Sequence, residues 1–414
     1  MNFNPIILSI PIFFILIGIE LVVERFSHKE LYNLPDAIAN ISCGITSQLS
    51  GLFLRIFGIG IYVVLFENFA LLHLDDVARS TWWYWVSLIL LVDLAYYWAH
   101  RMSHEVNLFW GGHVVHHQSE EYNLSVALRQ SSLQVVWTFG FSLPIAFLGF
   151  DPVHFTLISA FNTLYQFWIH TETINKLPKW FEFIFNTPSH HRVHHGRDPK
   201  YIDKNHAGSL IIWDRMFGTF QAEEEKPTYG ITKPINSWNA VFANVSHYVE
   251  MGKDIKQIPS WGDKVKYIFM KPGWFPESLG GYRPAPAVDK HSYKKYTTSA
   301  PMLLNLYVLF QYVLCLAGTS LFLFNAGKFN LGEKAFITAL ISITVVNCGV
   351  LFEQRTWVKW AEWLRIIGYP LMLIVLTFYN QWPQWLVIPA TAYFIVSSVW
   401  FYSINKRNAL VSLA

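Results

Sequence analysis

Charged side chains are scarce in this sequence: Asp, Glu, Lys and Arg make up only 14% of its 414 residues, whereas 53% are hydrophobic. A soluble domain usually carries roughly 25% charged residues. The deficit indicates that much of the surface contacts something other than water. The formal net charge of +3 is also too small to favour a nucleic-acid partner.

Cysteine is equally scarce, with only Cys43, Cys315 and Cys348, all in apolar stretches and far apart. Because they form no CxxC pair, neither a disulfide framework nor a thiolate metal site is expected. The first residues, MNFNPIILSIPIFF, lack the basic region and small-residue cleavage site of a signal peptide. We therefore interpret them as the start of a first membrane span.

Long hydrophobic runs are abundant, and a helix needs about 20 mostly apolar residues to cross a bilayer. We expect an all-α, multi-pass transmembrane helical bundle with about nine spans. A tight connection at Asp151-Pro152 joins the fourth and fifth spans into a helical hairpin, which need not cross the bilayer fully. The candidate spans lie near residues 5–23, 41–66, 81–100, 133–150, 152–170, 301–325, 335–352, 366–380 and 384–404.

The distribution of Lys and Arg predicts the orientation of the chain, because basic residues concentrate in cytosolic loops. The long polar region 171–300 carries many of them, for example Lys176 and Lys264. We therefore expect the N-terminus outside, and the C-terminus and a histidine-rich metal-binding cap on the cytosolic side. Three regions follow: N-terminal spans at 1–80, a histidine-bearing region at 81–300 and C-terminal spans at 301–414.

Histidines are concentrated in two segments of that middle region. His100 and His104 form an HxxxH pair, and two HxxHH triplets follow: His113, His116 and His117, and His191, His194 and His195. Imidazoles three or four positions apart share one helix face, so each triplet is expected to point toward a common site. Imidazole suits Zn, Cu, Fe and Ni, and eight such ligands exceed what one ion needs, which favours two ions. The clustered residues are His100, His104, His113, His116 and His117 in the first segment, and His191, His194 and His195 in the second.

Other polar residues are candidates for the same site. His170 ends the fifth candidate span on the same side of the membrane, which favours it as a further ligand, whereas the roles of His190 and His206 stay open. Asp93 lies seven residues before His100 and is expected to accept an N–H from a ligand imidazole. Further candidates for orienting the site follow the first segment, namely Glu120, Asn123 and Arg129.

Three stretches resemble the fatty acid hydroxylase / sterol desaturase superfamily of membrane-bound non-haem di-iron oxygenases: DLAYYWAHRMSHEVNLFWGGHVVHH, QFWIHTE and NTPSHHRVHHG. The superfamily's eight-histidine signature falls on the eight clustered histidines, which makes 81–300 the expected catalytic domain. The stretch SEEYNLSVALRQSSLQ and the extra C-terminal spans are most similar to its alkylglycerol monooxygenase branch. That branch cleaves the ether bond of alkylglycerols and uses tetrahydrobiopterin as reductant.

The resemblance implies an O2-dependent oxidoreductase that hydroxylates a membrane lipid and takes electrons from a pterin or a redox protein. A fatty acid hydroxylase, a sterol desaturase or a sterol methyl oxidase would use the same scaffold. A membrane metal transporter or sensor is the non-enzymatic alternative. A transporter would place its histidines near the bilayer midplane, whereas here they lie at span ends and in the polar region.

Overall fold

The computed structural model describes residues 5–290, 292–379 and 383–406, and within these ranges it contains helices and no strand. This confirms the predicted all-α class. The chain divides into two compact units. Unit 1 comprises Met1–Ile235 and Phe242–Tyr296, and unit 2 comprises Asn236–Val241 and Thr297–Ala414. All the histidines of the two clustered segments lie in unit 1.

The first fourteen helices range from single turns of four residues to one helix of 36 residues. They are α1 (Pro5–Ser27), α2 (Leu34–Phe69), α3 (Asp76–Arg79), α4 (Trp82–Glu105), α5 (Asn107–His117), α6 (Leu124–Ala127), α7 (Gln134–Thr138), α8 (Leu143–Phe147), α9 (Pro152–Tyr165), α10 (Lys179–Ile184), α11 (Pro188–His194), α12 (Ile212–Met216), α13 (Ala240–Gln257) and α14 (Trp261–Phe269). The remaining helices are α15 (Met302–Asn325), α16 (Leu331–Phe352), α17 (Val358–Tyr379) and α18 (Val387–Lys406).

Four helices among the described residues are long and apolar enough to cross a membrane, which makes this a membrane protein. They span 34–69, 302–328, 331–352 and 387–406, and each coincides with a predicted span. Three further predicted spans fall on α1, α4 and α17. The end of the eighth predicted span, residue 380, lies outside the described residues.

The other two predicted spans, 133–150 and 152–170, are not full-length helices. Residues 134–147 form α7, a short 3-10 turn and α8 in succession. The 14 residues of α9 extend only about 21 Å, well short of a bilayer core of about 30 Å. Asp151 caps α9, because its carboxylate accepts the backbone N–H of Val153 at 2.8 Å, and Pro152 occupies the first turn. The predicted hairpin therefore exists, and it is built from short helices.

Local breaks in the chain set the bounds of the helices that carry the histidines. Val106 is extended (φ −119°, ψ 119°) and separates α4 from α5, so the two helices fold against each other. The start of α5 is anchored to α14, because the backbone N–H of Asn107 donates to the carbonyl of Met270 at 2.9 Å. Helix α11 begins at Pro188, a suitable first residue because a helix leaves that N–H unpaired.

Unit 2 contains a buried ion pair between two residues of α17, Glu362 and Arg365. The guanidinium also donates to Gln311 Oε1 and to the Tyr393 hydroxyl, each at 2.9 Å. These bonds link α15, α17 and α18. A buried charge is tolerated only when it is paired and hydrogen-bonded, and this pair meets both conditions.

Candidate metal centre

Nine buried imidazoles form two groups in unit 1, each with ligand atoms within 4.8 Å of one another. We call them the five-histidine cluster and the four-histidine cluster. The five-histidine cluster consists of His100, His104, His113, His117 and His194. The four-histidine cluster consists of His116, His170, His191 and His195.

The two clusters are neighbours. The rings of His117 and His195, one from each cluster, are stacked with centroids 4.5 Å apart. The rings of His113 and His116 are 5.6 Å apart. The arrangement therefore offers two adjacent groups of nitrogen donors, one suited to each of two ions.

Each histidine triplet is divided between the clusters, so the expectation that a triplet points toward one common site is wrong. In the first triplet, His113 and His117 belong to the five-histidine cluster and His116 belongs to the four-histidine cluster. In the second triplet, His191 and His195 belong to the four-histidine cluster and His194 belongs to the five-histidine cluster. Successive residues of a helix are rotated by about 100°, whereas residues four apart differ by only about 40°. An i,i+4 pair can therefore belong to one cluster, while the histidine adjacent to one of its members belongs to the other.

Backbone carbonyls fix the protonation of several rings. A carbonyl only accepts hydrogen bonds, so the Nδ1 atom facing it carries the hydrogen and the Nε2 atom of a neutral ring keeps a lone pair. These pairs are His100 Nδ1 with His206 O at 2.7 Å, His116 Nδ1 with Arg129 O at 3.0 Å, His170 Nδ1 with Gln166 O at 2.7 Å and His194 Nδ1 with Lys204 O at 2.9 Å.

The lone pairs face one another inside the clusters. The Nε2 atoms of His116 and His170 are 3.2 Å apart although both rings carry their hydrogen on Nδ1. Two facing lone pairs repel, and a cation between them removes the repulsion. The Nε2 atoms of His104 and His194 are buried without a hydrogen-bond partner. The donor set thus fits metal ions that favour imidazole.

Burial also keeps the rings in the form that binds metal. Because removal from water penalises the imidazolium, burial lowers the pKa of His116 to about 4. Burial, followed by the charges of neighbouring histidines, holds the pKa of His117, His194 and His195 well below the usual range. Neutral imidazoles are therefore the state expected near neutral pH, and neutral imidazole is the ligand form.

The hydrogen bonds of Asp93 come from groups other than an imidazole, contrary to the sequence-based expectation. Its carboxylate accepts the backbone N–H groups of Ser209 at 2.8 Å and Leu210 at 3.0 Å, and the indole N–H of Trp213 at 2.9 Å. Gly208 allows this close approach, because a Cβ there would lie 3.0 Å from Asp93 Oδ1. Asp93 thus fixes the position of residues 209–213, which follow the second histidine segment, through these hydrogen bonds.

Glu120 and Asn123 also lie away from the imidazoles in their hydrogen bonding. Glu120 accepts the hydroxyl of Tyr293 and the backbone N–H of Tyr296. Asn123 caps α6, because its Oδ1 accepts the backbone N–H of Ser125 at 3.0 Å. The Asn123 side-chain N–H also donates to the carbonyl of Leu31 at 2.7 Å, so both residues join separate chain segments. The direct support for a ring comes from Arg129, whose carbonyl accepts the His116 Nδ1–H.

The two histidines left open by the sequence lie outside both clusters. The His190 ring packs against Phe220 with centroids 5.5 Å apart. His206 is fully buried, and its ring centroid is 5.0 Å from that of His104. Sequence reasoning missed Asp203 and Lys204, which face rings of the five-histidine cluster through a carboxylate and a carbonyl. No residue spacing predicts these contacts. Every residue has a backbone carbonyl, and Asp203 lies about a hundred positions from His104 in the sequence.

The chain is similar to known lipid monooxygenases and hydroxylases. The fatty acid hydroxylase family model matches residues 85–219. The alkylglycerol monooxygenase of Homo sapiens is 38% identical over 407 residues, covering 97% of this chain and 89% of its own. That of Danio rerio is 36% identical, covering 96% and 89%. The ornithine lipid hydroxylase OlsE of Rhizobium tropici is 26% identical over 32% of this chain and 40% of its own. No solved structure matches the chain.

Proposed function

Because this chain belongs to the alkylglycerol monooxygenase family, a group of membrane lipid monooxygenases, we propose that it cleaves the ether bond of alkylglycerols with O2 at a di-iron centre. The nine clustered imidazoles would hold the two ions, five donors at one and four at the other. The observation that supports a metal centre is the 3.2 Å separation of the Nε2 atoms of His116 and His170, whose facing lone pairs a cation would bridge.

Iron held by these imidazoles would supply the activation of O2. The chain's own residues supply the geometry: carbonyls hold the Nδ1–H groups, so the Nε2 atoms are oriented before any ion binds. Burial of all nine rings excludes water, which protects the reaction from side reactions.

The proposed reaction inserts one atom of O2 into the C–H bond next to the ether oxygen. The second atom leaves as water, with two electrons and two protons from a reductant. The resulting hemiacetal collapses to an aldehyde and a free glycerol hydroxyl. Tetrahydrobiopterin is the proposed reductant, on the strength of the family resemblance.

We also propose that the metal centre faces the cytosol, with the N-terminus outside. The support is the basic character of the polar region, in which Lys176, Lys226 and Lys264 are exposed or half-buried. A protease-accessibility assay on intact and permeabilised vesicles tests this orientation. Cleavage within 171–300 only after permeabilisation of right-side-out vesicles supports it, and cleavage in intact vesicles contradicts it.

The central experiment combines metal analysis with an ether-lipid assay on anaerobically purified, full-length protein. We expect two iron ions per chain and aldehyde release from an alkylglycerol that requires both O2 and tetrahydrobiopterin. Hydroxylated or desaturated products from fatty acids or sterols, with no aldehyde from alkylglycerols, would instead identify another reaction of the superfamily. Zinc without iron, and no O2 consumption with any lipid, would contradict an oxygenase.

A further inference from the structure

The turn formed by residues 203–206 contacts three imidazoles of the five-histidine cluster. The carbonyl of His206 accepts the His100 Nδ1–H at 2.7 Å, and the carbonyl of Lys204 accepts the His194 Nδ1–H at 2.9 Å. The third contact is made by a side chain: Asp203 Oδ1 lies 3.4 Å from His104 Nδ1. One turn therefore faces the Nδ1 atoms of three rings of the five-histidine cluster.

This turn has an uncommon backbone that the surrounding structure maintains. Asp203 and Asn205 have φ values of 55° and 56°, in the left-handed region that Asp and Asn enter more readily than most residues. The Asn205 amide donates to the carbonyls of His190 at 3.0 Å and Gln221 at 2.7 Å. The backbone N–H of His206 donates to Asp214 Oδ1 at 2.7 Å.

The Asp203 carboxylate is itself held in place. Lys271 Nζ lies 2.7 Å from its Oδ2, the oxygen that does not face His104. The ammonium therefore orients the carboxylate and balances its charge, while the other oxygen faces the ring. The His104 side chain is 6% exposed, and its Nε2 is buried without a partner.

We propose that Asp203, supported by Lys271, is a positioning residue that orients His104 toward the ion of the five-histidine cluster. A carboxylate next to Nδ1–H fixes the tautomer, directs the Nε2 lone pair inward and makes the ring a stronger donor. The inference rests on the proposed function, because it requires an ion at that cluster. It concerns a side chain outside the family's histidine signature.

The test compares wild-type protein with Asp203→Ala, Asp203→Asn and Lys271→Met in detergent. Each protein is loaded anaerobically with Fe(II) or Co(II), and the two ions are followed during a chelator titration. Asp203→Ala should weaken retention of one ion by about 10–100-fold and leave the other unchanged. Asp203→Asn keeps an acceptor oxygen without the charge, so it should weaken retention less, as should Lys271→Met. The Co(II) absorption spectrum should change for that ion alone.

Asp198→Asn is the matched control. Asp198 is also a buried carboxylate beside a lysine, with Lys290 Nζ at 3.4 Å, and it accepts the Thr228 backbone N–H at 2.7 Å. None of these contacts involves an imidazole. The control should retain both ions, even if its metal-free form unfolds at a lower temperature than the wild type.

The outcomes separate the inference from the function it rests on. If the wild type holds two ions and Asp203→Ala retains both with wild-type affinity and spectrum, the positioning role is refuted and the function stands. Equal loss of both ions from Asp203→Ala and Asp198→Asn would show general destabilisation and also refute it. A wild type that binds fewer than two ions contradicts the proposed function, and the inference falls with it.

Discussion

Replacement of His116 by alanine is the sharpest test of the two-cluster arrangement. Its Nε2 lies 3.2 Å from that of His170 and 3.1 Å from that of His195, so it faces two other donors of the four-histidine cluster. The substitution leaves three imidazoles in that cluster and all five in the other. We expect iron content to fall from two ions per chain toward one.

The size of the effect follows from the contacts that are lost. Substitution of a residue that merely supports a ligand costs about 10–100-fold in metal affinity or activity, so loss of a ligand should cost at least the upper value. The Arg129 carbonyl also loses the Nδ1–H it accepts, and an unpaired buried acceptor costs about 1–3 kcal/mol of stability. The metal-free variant should therefore fold, with a lower unfolding temperature.

His190→Ala is the matched comparison. His190 is buried like His116, but its ring packs on Phe220 and belongs to neither cluster. Iron per chain, aldehyde release and the unfolding temperature of the metal-free form are measured for both variants. His190→Ala should keep both ions and its turnover. The reasoning is refuted if His116→Ala retains two ions and full activity, or if both variants lose iron equally.

Three further predictions follow from buried groups. The metal-free protein should lose stability as the pH falls from about 6.5 to about 4, because burial lowers the pKa of His116 to about 4, so that only the unfolded ring binds a proton in this range. Thermal unfolding at successive pH values tests this, and a flat profile would contradict it. Asp93→Asn should destabilise the protein by about 1–3 kcal/mol, because one of the N–H groups that donate to the Asp93 carboxylate loses its acceptor, yet the iron content should stay unchanged. Loss of iron with unchanged stability would contradict this prediction. Glu362→Leu should lower the stability of the fold by about 3–5 kcal/mol because it leaves Arg365 buried and unpaired, and adding Arg365→Leu should restore part of that stability. Thermal unfolding measures both variants, and equal stability of the single variant and the wild type would contradict this prediction.

Much of the candidate site could be predicted from local spacing. The HxxxH and HxxHH patterns identified eight of the nine clustered histidines, and the position of His170 at a span end suggested the ninth. The length of the apolar runs predicted the helical class, and the short connection at Asp151-Pro152 predicted the hairpin. Local spacing did not show which rings share an ion, because His116 and His117 differ by only one position but face different clusters.

The supporting contacts could not be predicted, and Asp93 illustrates the reason. Its distance along the helix from His100 suggested a ligand ring as partner, but the carboxylate instead accepts N–H groups from 209, 210 and 213, more than a hundred positions away. Glu120 and Asn123 similarly bind neighbouring chain segments. A side chain buried at a given height along a helix can meet several partners, and only the packing of the other helices selects one.

The amino-acid sequence by itself determined the donors: imidazole chemistry and helical periodicity are local properties, carried by residues at most a few positions apart. The tertiary structure alone decided how the donors are divided, which carbonyls hold their Nδ1–H groups and which turn supports His104. Those outcomes depend on how the chain between 117 and 191 places the second histidine segment beside the first, and on where residues 203–206 pack against the imidazoles. They are set by non-local packing, for which no short pattern in the chain is a signal.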